Sequence, residues 1–222
     1  MKTLIFAVAF LVCATVTNAQ VTTETFDLKG KVRFVEETSY QYVVKFGEIE
    51  VGESLGRSCK VFNDRGYLIK NYALLGRDTT DVLSYEFVYN EKGQMKEVNE
   101  FTQYTSRSQK ELKSKTKFKY DDNGKLAQQI IYDGDGSFEK GYKFSTPDNG
   151  KTLQQQIDSE GNIVEESEET VFEEPDYDDN GQPITGELKN KDVLDAQGNW
   201  IKRIEFRGKK QLKGYERRII YY

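Results

Sequence analysis

Asp176, Asp178, Asn180 and Glu187 stand at the spacing of a calcium loop of the EF-hand kind. In such a loop, side-chain oxygens at positions 1, 3 and 5 and a bidentate Glu at 12 surround a hard divalent cation, and a Gly at 6, here Gly181, permits the sharp bend. The neighbouring residues point to another use. Pro175 directly precedes the loop and Pro183 takes its apolar eighth position, which opposes the helices that flank an EF-hand. Weak calcium binding by these four residues stays open, and no other cofactor is expected.

Other chemistry has less to work with. The chain contains no His, so the commonest general base is missing and Ser-His-Asp or Cys-His arrangements cannot be built. A glycosidase needs only two carboxylates, and Asp and Glu number 37, but no spacing singles out a pair and no catalytic residue is assigned. Trp200, Tyr215, Tyr221 and Tyr222 have the rigid rings and polar handles that stack on sugars or grip peptides. Packing within an aromatic sheet is their simpler use. Cys59 reads as a small buried side chain rather than a reactive thiol.

The elements that would position these groups are written in a repeated phrase: a large apolar residue, Asp or Asn, two free positions, Gly, one free position, and a closing apolar residue. It occupies residues 26–32, 62–68, 89–95, 120–126, 132–138, 157–163 and 194–200, and also 177–183 if the closing residue is Pro183 or Ile184. Its glycines are Gly30, Gly66, Gly93, Gly124, Gly136, Gly161, Gly181 and Gly198. Asp or Asn can accept backbone N–H groups just ahead of it, the free positions suit a type I turn, and Gly takes the positive φ that closes a bulged hairpin. Repetition at uneven spacing predicts a meander of unequal hairpins rather than a regular solenoid. Further turns are expected near Gly47 to Gly56, Gly76, Gly150 and Gly208.

Between the turns the pattern has period two. Leu83, Tyr85, Phe87 and Tyr89 alternate with Ser84, Glu86 and Val88, and Lys113, Lys115, Lys117 and Lys119 alternate with Ser114, Thr116, Phe118 and Tyr120. Such alternation places lysines on one side of a strand and aromatics on the other. No amphipathic helix competes with it. With 14 Tyr, 13 Phe and only 3 Pro, the composition favours long ladders.

Residues 1–19 read as a signal peptide: Lys2 leads an apolar run from Leu4 to Ala14, and small residues precede Gln20. The run is shorter than the roughly 20 residues that span a bilayer, and Val12 fits poorly before Cys13 as a lipid-attachment signal. An exported chain of residues 20–222 forming a single hairpin-repeat domain follows. Its formal charge of −5 for the whole chain gives nucleic acid no electrostatic footprint. Acidic residues crowd 152–187 and basic ones crowd the tail, and opposite charges on neighbouring strands would account for both.

The phrase Tyr120-Asp121-Asp122-Asn123-Gly124-Lys125-Leu126 resembles the YD repeats of the RHS-repeat family. The segments beginning at Asp27 and Asp195 resemble the two ends of small exported RHS-like proteins of Gram-negative cell envelopes. The resemblance implies a β-hairpin array and export to the periplasm or beyond. The expectations are therefore an all-β antiparallel meander with a curved or rolled sheet, and a non-enzymatic exported cell-envelope interaction or scaffold protein that acts through its sheet surface on an envelope protein or glycan. The rivals are a carbohydrate-binding or carboxylate-dependent carbohydrate-active protein, and a weak calcium binder.

Overall fold

The computed structural model describes residues 20–45, 48–75, 81–103, 109–145, 153–168, 187–207 and 210–222. Residues 1–19, expected to be a signal peptide, the Gly181 copy of the phrase, and Asp176, Asp178 and Asn180 lie outside the described residues. So do the turns expected at Gly76, Gly150 and Gly208. A 3-10 turn, Glu24–Phe26, precedes β1 (Val32–Lys45), β2 (Glu48–Phe62), β3 (Leu68–Leu75), β4 (Asp81–Tyr89), β5 (Met95–Gln103), β6 (Glu111–Tyr120) and β7 (Leu126–Asp133). There follow β8 (Phe138–Ser145), β9 (Leu153–Ile157), β10 (Ile163–Glu168), β11 (Leu188–Leu194), β12 (Trp200–Arg207) and β13 (Lys210–Tyr221). The fold is the all-β antiparallel meander that the repeats predict. Strand order is β10-β9-β8-β7-β6-β5-β4-β3-β2-β1-β13-β12-β11, so the chain steps outward from β1 to β10 and the last three strands return on the other side of β1.

The phrase folds the same way wherever it joins two described strands. Asn63, Asn90, Asp121, Asp133, Asp158 and Asp195 each donate the backbone N–H to the carbonyl four residues on and accept the glycine N–H three residues on. In most copies the Asx Oδ1 also accepts the N–H of the residue after Gly, as at Tyr67, Gln94, Lys125, Asn162 and Asn199. Gly66, Gly93, Gly124, Gly136, Gly161 and Gly198 have φ between +78° and +88°. This is a type I turn closed by a left-handed residue, the standard three-residue hairpin loop. Gly30 departs from the expectation: its φ is +80°, but Phe26 ends the 3-10 turn, so this copy feeds β1 instead of joining two strands.

A second irregularity follows the Gly66, Gly124, Gly136, Gly161 and Gly198 turns. Phe62 pairs with Leu68 but Val61 pairs with Lys70, leaving Ile69 as an extra residue. The same slip leaves out Ala127, Glu139, Val164 and Ile201. At the Gly30 copy it leaves out Arg33, because Val32 pairs with Tyr221 and Phe34 with Ile220. The extra residue is always the third after the glycine, and a bulge of this kind resets which side the following residues face. Val32 and Val35 are accordingly both buried although three apart, as are Leu68 and Asn71. Strict alternation also fails in β4, where Ser84 and Phe87 are both buried. Of the turn expected near Gly47 to Gly56, Gly47 lies outside the described residues, between the paired Lys45 and Glu48, whereas Gly52 and Gly56 fall within β2, which has register slips against β1.

The contacts group the chain into two compact units. The terminal unit comprises Thr22–Tyr85, Thr102–Lys110 and Glu173–Tyr222, and the central unit comprises Met1–Val21, Glu86–Phe101 and Glu111–Phe172. In the terminal unit, Val32, Val35, Phe62 and Leu68 are buried, and Phe26 packs edge-on against Phe62 at 5.9 Å between centroids. Burying one such side chain stabilises the fold by about 1.5–3 kcal/mol. In the central unit, Phe87, Met95, Phe118 and Ile157 are buried. There Gly141 pairs with Ile157, and a Cβ at Gly141 would meet the Ile157 side chain at 2.8 Å.

Candidate functional site

The chemistry-bearing side chains of the terminal unit gather where β1, β13 and β12 run side by side. Trp200 opens β12, and the bulge at Ile201 brings Arg203 to the same side, so that its guanidinium lies 4.5 Å from the indole centroid. Without the bulge, residues three apart on a strand would face opposite ways. Arg217 of β13 approaches the same ring to 3.4 Å, and Tyr215 meets it edge-on at 6.4 Å. Trp200 is buried, which removes it from the surface and leaves its ring to the two arginines as a cation–π partner.

Carboxylates neutralise both cations. Asp192 accepts two hydrogen bonds from Arg203, at 2.9 and 2.7 Å, and Glu37, directly opposite Arg217 across β1 and β13, accepts one at 2.8 Å. Burial pulls the Arg217 guanidinium below its ordinary pKa, with Glu37 opposing, and its Nη1 is buried without a hydrogen-bond partner. The adjacent Glu36 pairs with Arg218 at 2.6 Å and Arg57 at 3.4 Å. Arg218 and Glu36 are cross-strand neighbours, as are Arg217 and Glu37. Among the described residues, Arg217 and Arg218 of the basic tail are therefore matched by Glu37 and Glu36 of β1.

A second cluster joins the first copy of the phrase to the last. Asn199, 1% exposed, accepts the Lys29 N–H at 2.7 Å and donates to the Lys29 carbonyl at 2.9 Å and the Tyr221 hydroxyl at 2.7 Å. Tyr221 in turn donates to Asp195, the head of the Gly198 turn. Lys29 Nζ donates to the Gly198 carbonyl, and Tyr222 donates its N–H to Lys31 and its hydroxyl to Phe62. The central unit repeats the device: Gln94, the residue after Gly93, donates to the Gly124 carbonyl at 2.9 Å. The signal available in sequence was an amide side chain directly after the motif glycine, yet exposed Asn162 carries it as well.

Among the described residues, those singled out from sequence do not converge on a reaction centre. Glu187 is exposed before β11 and forms an ion pair with Lys189 at 3.2 Å. Trp200 is buried, Tyr215 and Tyr221 are half-buried in the contacts above, and Tyr222 is exposed. Cys59 is buried opposite Tyr72. Burial pushes its thiol pKa up, and burial together with the Cys59 contact pushes Tyr72 to about 12. Among the described residues, each carboxyl displaced from its ordinary range is displaced downward. Arg218 is the main cause at Glu36 and Arg203 at Asp192. At Asp195 burial opposes ionisation, but Tyr221 and three backbone N–H groups outweigh it. A general acid at neutral pH requires the opposite displacement. No three His, Cys, Asp or Glu side chains gather as a metal cage among the described residues. No helix among them is long and apolar enough to cross a membrane, which says nothing of membrane-spanning strands.

No family model matches the chain, and no curated protein matches it. Among solved structures, it is similar to a porin-like protein from Bacteroides uniformis at 10% sequence identity and a TM-score of 0.31, over 92% of this chain and 100% of that one.

Proposed function

We propose that the protein is a non-enzymatic, exported cell-envelope protein that acts by binding, with its strand surface as the interaction surface and an envelope protein or glycan as its partner. The observation that carries this reading is how the charged groups are used. Glu36, Asp192 and Asp195 are held as anions by arginines or turn N–H groups, Glu37 is paired with Arg217, and Trp200 is packed away from solvent. These contacts specify strand register and turn geometry, a structural use of charge that supports binding rather than catalysis. Export rests on the leader 1–19 and on the resemblance to small envelope proteins.

The test combines location with turnover. In a Gram-negative host the chain is expected outside the cytoplasm with Gln20 as its first residue by mass spectrometry, retained on envelope material and releasing no reducing ends from polysaccharides. Reducing-end release that disappears on changing a single carboxylate to its amide would replace this reading with the carbohydrate-active one. An acylated Cys13 would make the protein membrane-anchored.

A further inference from the structure

The two strands at the ends of the sheet order, β10 and β11, each have one strand neighbour among the described residues, so alternate backbone N–H and C=O groups along each face away from that neighbour. Both strands carry exposed apolar residues: Ile163 and Val164 on β10, and Leu188, Val193 and Leu194 on β11, are 47–58% exposed. All seven residues of β11 are exposed. Natural sheets blunt their edges with charge or cover them, because such an edge templates pairing with another chain. We propose that β10 of one copy pairs antiparallel with β11 of a second copy, giving a head-to-tail association.

The two sequences select this pairing. With Ile163 opposite Leu194, Val164 falls opposite Val193, Glu166 opposite Lys191, Ser167 opposite Asn190 and Glu168 opposite Lys189. Apolar residues meet at one end and opposite charges at the other. The single like-charged position sets Glu165 against Asp192, whose charge is already neutralised by Arg203 at 2.7 Å. Pairing of like edges fails by the same criterion. Two β11 strands centred on each other set Lys191 against Lys191, and two β10 strands set Glu165 against Glu166, which is destabilising directly across a ladder. Unlike edges make a heterologous contact, which generates a ring or an open chain of copies.

Sedimentation velocity across a concentration series tests this. The wild-type protein is expected to self-associate, less at high salt. The pair Lys189→Glu with Lys191→Glu, and separately the pair Glu166→Lys with Glu168→Lys, should each weaken self-association roughly tenfold or more, since matched charges become like charges. Mixing the two variants in equal amounts should restore association, because each then meets the opposite charge on the other. Wild-type protein that stays monomeric at every concentration, association indifferent to both swaps, or a mixture that stays monomeric would each overturn the proposal. Should a swap unfold the chain, Val164→Cys and Val193→Cys on separate copies in a Cys59→Ser background provide a second reading. Their Cα atoms would lie about 4.5–5.5 Å apart in this register, within the Cα range of about 4.4–6.8 Å that a disulfide spans. A disulfide between the two copies is expected, and its absence under oxidation overturns the pairing.

Discussion

The Gly198 and Gly161 turns are close copies that ended in different places. Each begins with Asp, places Gly fourth along and follows it with Asn. In each, the Asp Oδ1 accepts the N–H of that Asn at 2.9 Å. Asn199 is then buried between Lys29 and Tyr221, whereas Asn162 is exposed and its amide bonds only within its own turn, to Asp158 and Glu160. The phrase therefore encodes the turn, and the neighbouring strand decides whether the turn also serves as a clasp.

Breaking the clasp gives the largest expected difference. Asn199→Ala removes three part-buried hydrogen bonds, with the Lys29 N–H, the Lys29 carbonyl and the Tyr221 hydroxyl, each worth about 0.5–1.5 kcal/mol. A destabilisation of about 3 kcal/mol is expected by chemical denaturation. Asn162→Ala, at the same place in the phrase, should stay within about 0.5 kcal/mol, as exposed substitutions usually do. Equal effects would mean that the clasp contributes nothing beyond the turn.

The adjacent arginines of β13 sharpen the contrast between buried and exposed pairing. Arg217 is 9% exposed and stacked on Trp200, whereas Arg218 is 68% exposed. Arg217→Met should cost about 2–3 kcal/mol, because Glu37 loses its partner in a half-buried setting. Arg218→Met should cost less than about 1 kcal/mol, in keeping with surface pairs. Thermal melts of the two variants should rank them in this order.

Acid should act through the same contacts with a smaller effect. Glu36, Asp192 and Asp195 have folded pKa values below their ordinary ones. The stability they supply is fully present above the ordinary carboxylate range and is lost as pH falls through the depressed folded values. Melting temperature is expected to hold from neutral pH down to that range and then to fall. Glu36→Gln should shallow the fall, since it removes one proton-linked group, and an unchanged acid limb would show that its pairing with Arg218 adds no pH-dependent stability.

How far these features could be read in advance depends on how local their causes are. The turn is local: Asx and Gly at fixed spacing satisfy one another's backbone, so the hairpins and the antiparallel meander were legible. The bulge is not, because Arg33, Ile69, Ala127, Glu139, Val164 and Ile201 share a position and no chemistry. Missing it hid the shared side of Trp200 and Arg203 and the buried sides of Asn71 and Gln129. The partners of Arg217 and Arg218 were also out of reach. Charge runs state what a strand needs opposite it, and only the return of β13 to β1 makes Glu36 and Glu37 the answer.

The smallest contrast lies between glycines of the same phrase. Gly124 and Gly136 have φ of +80° and +88°, so a β-branched residue is strained at both, by roughly 1 kcal/mol or more, and Gly124→Val should destabilise clearly. Asn enters the left-handed region most readily, which isolates the surroundings from the backbone. A Cβ at Gly124 would stand 3.1 Å from Gln94 Nε2, the atom that donates to the Gly124 carbonyl, while a Cβ at Gly136 meets nothing within 4 Å. Gly136→Asn should therefore be nearly neutral. Gly124→Asn should cost about 0.5–1.5 kcal/mol more, the usual worth of a hydrogen bond that has to shift. Matching melts for the two Asn variants would mean that Gln94 yields without loss and that the link between the Gly93 and Gly124 turns is incidental. A Gly124→Val variant as stable as Gly124→Asn would instead show that positive φ does not limit this turn.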